Sequence, residues 1–583
     1  SRRSVMPAIR SPLRPAIRGA LRSPFDVRSG TGLTPDYYVS NSGNDSNAGT
    51  LAAPFATLAK ALSVFTTGKV IGLKYGSSWR ESLDFLTATN AAVVAYGNPT
   101  DGLPLIDCSD PVTAGTWVLS VDSGAAGNVY EISRVALTYQ HQQVFQNTPG
   151  VYLIRATSVA NCQATPGSYY VTDTFTNGVS YKIYLHPIGS TSPITNGVSY
   201  SVAERPNAIS HDGVGTLRLR NLRCIRALHH DGPIRQGNGT AEIDGCYSNE
   251  SYIHNTVLEN GTVSNCNFDN AAAGTNITFA ANAVGKVANI LNCTVNNTRG
   301  IIADGPAVFF HGNSFGMARR VQNLRSNGLS YGVTCADFDG TLLVADMVIK
   351  TVSNQGTAVD LTDGYNSAGG DVWIIRPKCI SKKLFGAAQT GAATRVFIWE
   401  PQCVITEDIV RMLNATEVHI LGAACVSSGL TGAALTMQDP LGRSKITVKH
   451  CIIDMPGTGP RNFAYLDNGV SLDMDYNVYW MRGTVGPGDM RWNKGATTYY
   501  SFDNDFGVPL PFWQQTGQDA HSVIADPLWV NDPYAVTDEA LLDFSVSGSS
   551  PAITVGAGPG RVPLDYVFPS WVPADVRALC GRA

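Results

Sequence analysis

Cysteines recur along the middle of this 583-residue chain at the pitch of a repeating coil. Cys224, Cys246, Cys266 and Cys293 are separated by 22, 20 and 27 residues; Cys379, Cys403, Cys425 and Cys451 are separated by 24, 22 and 26. The gap from Cys293 to Cys379, 86 residues, is close to four more periods. A disulfide framework has no reason to keep a period, whereas a stack of coils does. The flanks agree: VSNCNF, ILNCTV, EPQCVI, GAACVS and VKHCII are short apolar or β-branched runs closed by turn residues, one strand per period. Such intervals are shorter than the roughly 30 residues of a βαβ unit and suit a coil of three short strands. The sequence therefore predicts an all-β, right-handed parallel β-helix solenoid. Its inward residues stack in columns, one of them made of free cysteines packed as small hydrophobes.

Composition excludes several classes. Charged residues are 15% of the chain, against about 25% in ordinary domains, and 44% apolar content rules out general disorder. No apolar run approaches the roughly 18 residues of a helical span, so no membrane insertion is expected. The net charge of −4 is unevenly spread. Residues 1–30 carry seven arginines against Asp26, a local +6 that leaves −10 on the remainder and argues against nucleic acid as a partner of the body. Glycine-rich nucleotide fingerprints are absent. The His229–His230 doublet has no CxxC partner, and GNDSNAG (43–49) lacks EF-hand spacing. Neither cofactor nor metal is expected.

The first 30 residues stand apart. PAIR, SPLR, PAIR, GALR and SPFD form a four-residue repeat that sets Ile9, Leu13, Ile17 and Leu21 directly before Arg10, Arg14, Arg18 and Arg22. Pro7, Pro12, Pro15 and Pro24 oppose a helix, so an extended, polyproline-like segment is expected, either a disordered basic tail or an arm that docks through regular aliphatic and arginine contacts. No apolar h-region follows, so no secretion signal is expected. The remaining boundaries are read as 31–110 (a capping helix and first coils), 111–205 (a β-rich insertion that breaks the period), 206–482 (the main solenoid) and 483–583 (closing coils and cap). Tyr169, Tyr170 and Tyr181 of the insertion are read first as core aromatics, with sugar binding as the alternative.

YYVSNSGNDSNAGTLAAPFATLAKAL (37–62) resembles the N-terminal cap of pectate-lyase-like right-handed β-helix proteins, through Gly43, Asp45, Gly49, Thr50, Pro54, Phe55, Thr57 and Ala61. DYNVYW (475–480), WQQTGQDAHSVIADPLWV (513–530) and DFSVSGSSPAITVG (543–556) look like closing coils of the same superfamily. The resemblance spans about residues 33–556 and is specific for fold; that superfamily includes lyases, hydrolases, epimerases and binders. The arm resembles those by which bacteriophage tail proteins attach to a virion, and tailspikes of this class imply a homotrimer. No separate head domain or intertwined stalk is evident here.

Coils about 4.8 Å apart turn a column of polar side chains into a ruler. Residues following successive cysteines give His229, His230 and Asp231, then Glu250 and His254, then Asp269 and Asn270. Glu250 and Asp269, at roughly 5 Å, suit a retaining glycosidase; Asp231 and Asp269, at about 9–10 Å, approach the inverting spacing. The same residues read as a lyase if His254 or His230 abstracts the proton α to a uronic carboxylate while Arg235 neutralises the developing charge. The candidate catalytic residues are therefore Glu250, Asp269, Asp231 and His254, with His230, Arg235, Asp304 and Trp373 as substrate contacts. The competing account is a turn ladder of Asn249, Asp269, Asn270, Asn296 and Asn297 capping amides. Asp337, Asp339, Asp360 and Asp363 form a second acidic group, with His311 between the two.

Three functions fit. The first is a phage tailspike in the virion tail, made in the host cytoplasm, that attaches to other tail proteins through residues 1–30 and binds or depolymerises a bacterial surface polysaccharide. The second is an extracellular bacterial polysaccharide lyase or hydrolase, and the third a non-catalytic virion rod or receptor binder.

Overall fold

The computed structural model describes residues 33–582, apart from 87, 123–126, 136–142, 149–150, 173–178, 252, 272–274, 281–284, 298–302, 312–316, 337, 352–355, 363–368, 388–393, 414–415, 428–432, 439–443, 457–460, 467–469, 483–489, 495–497, 502–518 and 539–540. The arm, with Ile9, Leu13, Ile17, Leu21, Arg10, Arg14, Arg18 and Arg22, lies outside the described residues.

The coils stack into three walls, most giving one strand to each, while Arg325–Ala336 runs through the second and third walls as a single strand. Fourteen strands, from Tyr37–Val39 to Ser471–Asp475, pair in parallel in chain order along the first wall. The second wall runs from Ser78–Trp79 through Leu105–Asp107, Arg223–Ile225, Tyr247–Asn249, Asn267–Asp269 and Val478–Arg482 to Val523–Ile524. The third runs from Leu83–Asp84 through Ile209–His211, Ile234–Gln236, Thr256–Leu258 and Arg461–Leu466 to Met490–Lys494. This is a parallel β-helix. The seven-residue helix Leu58–Val64, whose N-cap Thr57 accepts the Lys60 amide, packs Leu58 and Ala61 into the start of the core. No helix among the described residues is long and apolar enough to cross a membrane.

All twelve cysteines are buried and unbridged, but the periodic ones occupy two columns rather than the single one expected. Cys224, Cys379, Cys403 and Cys425 point inward in register with Ile106, Ser248, Phe268 and Ile453. Cys246, Cys266, Cys293 and Cys451 fall two residues earlier, at the corner that opens the second wall. Both positions sit inside the coil, so a small apolar side chain fits either, and the spacing alone does not distinguish them.

That corner has a fixed backbone. In successive coils Asn221, Gly245, Asn265, Asn292, Asn323, Asp346, Arg376, Glu400, Gly422, His450 and Tyr476 all take positive φ, between 47° and 65°. All but Tyr476, whose amide donates to Asp475 Oδ1, turn their amides along the stack to the next coil, as in Asn265 N to Leu291 O and Asn292 N to Gln322 O, both 2.9 Å. Glycine and asparagine tolerate this left-handed conformation best. In the earlier coils the side chains also pair: Asn323 Nδ2 donates to Asn292 Oδ1 at 2.8 Å, and Asn292 Nδ2 to Asn265 Oδ1 at 3.3 Å. The amide ladder thus lies here, before the cysteines, and not only at the turn that follows them.

The later corners hold the C-terminal segment instead. Arg376 donates to the Leu579 carbonyl, Glu400 Oε1 accepts the Gly560 amide at 2.8 Å, and His450 Nδ1 bonds Gly556 O at 2.8 Å. The outer face of the first wall changes in the same coils. It is polar early on, with Arg218 bonded to Glu242 at 2.8 Å; later it becomes Leu343, Ala345, Trp373, Ile375, Phe397, Trp399 and Leu421, covered by Val562, Val572, Val576 and Cys580. Residues 557–582 therefore lie along the side of the solenoid. Trp373, expected in a sugar-binding groove, is only 6% exposed beneath them; it is core because an outward apolar residue here meets protein rather than solvent. Trp399→Ala should destabilise by about 3–5 kcal/mol, read as a lower urea midpoint and as proteolytic release of residues 557–582.

The insertion leaves the solenoid between the second and third walls of one coil. Ser109–Val112 pairs antiparallel with Tyr200–Ala203, closing its base, and a five-stranded sheet lies beyond. Its own core includes Trp117, Tyr169, Tyr181, Ile183 and Tyr200, so Tyr169 and Tyr181 are packing residues. The turn it enlarges is the one that carries 226–233 and 250–255 in the next two coils. The insertion consequently stands over the candidate residues.

Candidate functional site

The turn between the second and third walls divides the candidate residues into two groups. At its far end, Asp231 is a hub. His230 Nε2 lies 2.8 Å from Oδ1, and His229 Nδ1 and Arg235 Nε lie 3.2 and 2.9 Å from Oδ2. Arg235 reaches on to Asp212, with Nη1 at 2.7 Å, and its Nη2 takes no partner among the described residues. Arg235 is there because Ser210, Arg235 and Val257 share an outward row of the third wall, while Ile209 and Ile234 point inward. His230 is half exposed, so the group is open to solvent.

His254 stands one coil on, its amide bonded to His230 O at 3.1 Å. Its Nδ1 bonds the Thr275 hydroxyl and lies 3.1 Å from Thr278 Oγ1. These contacts fix the ring through Nδ1, and Nε2 has no partner among the described residues. Burial pushes the imidazole down to about 4 against the smaller opposing pull of Thr275 and Asp231. His230 moves the other way: its hydrogen bond to Asp231 raises it, outweighing burial. At Asp231 burial is itself outweighed by His229 and His230, which hold the carboxyl well below its usual range. The two imidazoles of this turn are therefore shifted in opposite directions, His254 down and His230 up, the kind of separation an acid–base pair uses.

The second group lies at the near end of the turn, beneath the insertion. Glu250 and Arg226 share positive φ and bond side to side, Nε to Oε2 at 2.6 Å. Arg226 Nη1 bonds Asn147 of the insertion at 2.7 Å, lies 3.6 Å from Asp107, and its guanidinium sits 4.8 Å from the Phe145 ring centre. Asp269 pairs in register with Asn249, one residue before Glu250. Burial pushes the Asp269 carboxyl up, partly opposed by Tyr247 and Asn296. Cross-coil register thus sets Asp269 beside Asn249 and Asn296, while Asn249 Oδ1 and Asp269 Oδ1 are buried without a hydrogen-bond partner among the described residues.

Of the other candidates, the Asp304 side chain, Asp337 and Asp363 lie outside the described residues. Asp339 and Asp360 belong to later coils, and His311 is exposed on the third wall one row beyond Thr278. Sequence reasoning missed Arg226, Asp107, Asp212, Thr275 and Thr278. The strand letters around Arg226 and Thr278 carried no signal, because their roles arise from neighbours about 20 to 120 residues away. His229, His230 and Asp231 place three ligand atoms within 4.8 Å of one another, in a set that fits a divalent metal ion. Arg235 already balances the carboxylate there.

No protein-family model matches the chain, and no curated protein matches it. Among solved structures it is similar to XylC in complex with xylose (10% identity, covering 79% of this chain and 86% of that one, TM-score 0.38). It is also similar to a glycoside hydrolase (9%, 79% and 97%, 0.32). A third is the tailspike of an Acinetobacter baumannii bacteriophage in complex with capsular saccharide (12%, 73% and 69%, 0.17). The fold class rests on the strand pairing of this chain itself: a three-walled solenoid of parallel strands, with one antiparallel pair near its end, and a mainly antiparallel insertion.

Removing Arg226 tests whether Glu250 is a structural partner. Arg226→Met leaves Glu250 and Asp107 without their shared cation in a buried setting and should cost about 3 kcal/mol, measured by denaturant unfolding. Glu250→Gln keeps a hydrogen-bond acceptor and should cost less than half as much.

Proposed function

We propose that the chain binds a bacterial surface polysaccharide across the turn strip and cleaves it by β-elimination at a uronic acid residue. The observation that carries this reading is the gathering on one open turn of His254, its ring held through Nδ1, of His230, whose carbonyl accepts the His254 amide, and of Arg235, held by Asp231 and Asp212. His254 Nε2 takes the proton α to the uronic carboxylate, the bond from the β carbon to the glycosidic oxygen breaks, and a carbon–carbon double bond forms. His230 returns a proton to the departing oxygen. Arg235, held by Asp231 and Asp212, faces the carboxylate on which charge develops. Asp231 is a positioning residue. Hydrolysis by Glu250 and Asp269 has less support, because Glu250 is committed to Arg226.

The same reading makes the chain a homotrimeric phage tail component that attaches to other tail proteins through residues 1–30. Its support is the charge asymmetry and the Ile/Leu–Arg repeat of that arm.

The test is incubation with surface polysaccharides of candidate hosts, following chain length together with the ultraviolet band of unsaturated uronates. Shortened chains with the band are expected, and His254→Ala should lower the rate by about 10²–10⁴-fold. Shortening without the band would overturn elimination. A base works only when neutral and an acid only when protonated. The rate should therefore rise with pH through about 4, well below the 6.5 of an ordinary imidazole, and fall only above the raised value of His230.

A further inference from the structure

We propose that the proline- and arginine-rich repeat of residues 7–26 docks on the cap of its own chain, in a groove on the outer face of the first wall. The chain arriving from the arm already lies on that face. Leu33 packs on Val70, Ala92 and Val94, and Pro35 crosses Gly72, where a Cβ would stand 2.7 Å from the Pro35 ring. Beside Pro35 the face opens into a groove of about 650 Å³, lined among others by Tyr38, Leu51, Pro54, Lys74 and Tyr96. Tyr38 and Tyr96 are half-buried and meet edge to face, their ring centroids 4.9 Å apart, whereas Leu51 is 63% exposed. The groove thus offers a tyrosine pair, two prolines and an open leucine as a contact surface.

The occupant follows from where the chain outside the described residues ends and from what it is made of. Residues 27–34 separate the repeat from Pro35. Fully extended, those eight residues span up to about 28 Å, enough to turn the repeat back onto the groove. So short a tether holds it there at an effective concentration on the order of millimolar. Aromatic-lined grooves take polyproline II segments because that conformation is populated before binding, so little chain entropy is lost. Pro7, Pro12, Pro15 and Pro24 favour it along the repeat, and PAIR at 7–10 and again at 15–18 offers the groove the same contacts twice. Lys74, the charged side chain of the lining, repels arginine. The prolines and Ile9, Leu13, Ile17 and Leu21 therefore face in, while Arg10, Arg14, Arg18 and Arg22 face solvent, where another tail protein can reach them. The docking does not rest on the glycan reading.

The experiment is timed trypsin digestion of the full chain, following cleavage after Arg10, Arg18 and Arg22 by mass spectrometry against a synthetic peptide of residues 1–30. Arg14 precedes Pro15, a bond trypsin leaves. Cleavage of a docked segment tracks the fraction undocked, so the chain should be cut about tenfold more slowly than the peptide. Tyr96→Ala and Leu51→Ser should each remove most of that protection. Leu51→Ser alters an exposed position and serves where Tyr96→Ala fails to fold, its urea midpoint staying at that of the parent chain. Protection should persist on dilution, because groove and occupant belong to one chain. Cutting at the rate of the peptide would overturn the proposal, as would undiminished protection in Leu51→Ser. Protection lost on dilution would assign the groove to the arm of a second copy and overturn it too.

Discussion

Parallel pairing of one coil on the next is the interaction everything else depends on, and it needs a corner that every coil can repeat. The chain makes that corner with a residue in the left-handed region, eleven times in succession. Ten of these residues, Asn221 through His450, turn their amides along the stack, so the bend and the inter-coil hydrogen bond are made by the same backbone unit. Where the residue is asparagine, the side chains continue the ladder. Where it is Arg376, Glu400 or His450, the less favourable backbone is offset by a bond to the C-terminal segment.

The rail of corners and the apolar outer strip lie in the same coils. An exposed run of Leu343, Trp373, Phe397 and Trp399 would be a large apolar patch on a sheet. Folding residues 557–582 over it removes the patch and fastens the segment at its polar edges. Asp454, fully buried and bonded to Arg482 and to Trp529 Nε1 at 2.7 Å, makes a further fastening on the second wall. The solenoid is thus closed along its flank as well as in its interior.

The turn between the second and third walls escapes this covering, and there the polar residues carry opposed charges. Its two ends differ in one respect that matters for chemistry. The Asp231–His254 end is open to solvent and carries imidazoles shifted apart. The Glu250 end is roofed by the insertion and its charges are matched.

Local sequence determined the solenoid, because inward columns must repeat small or apolar residues at the coil length, and Cys224 to Cys451 keep that pitch. It determined the insertion, where the pitch is lost, and the neighbourhood of His230, Asp231, Arg235 and His254, which follow the columns by a fixed few residues. It left open which of two inward columns a cysteine fills, since both accept the same side chain. Tertiary structure alone decided that Trp373 is covered, because its cover comes from a segment some 190 residues away. It also decided that Glu250 pairs with Arg226 and that Asp269 stands beside Asn249. A one-residue difference in register changes which side chains meet between coils, and that register is set by the corner backbone and the stack, not by any one segment read alone.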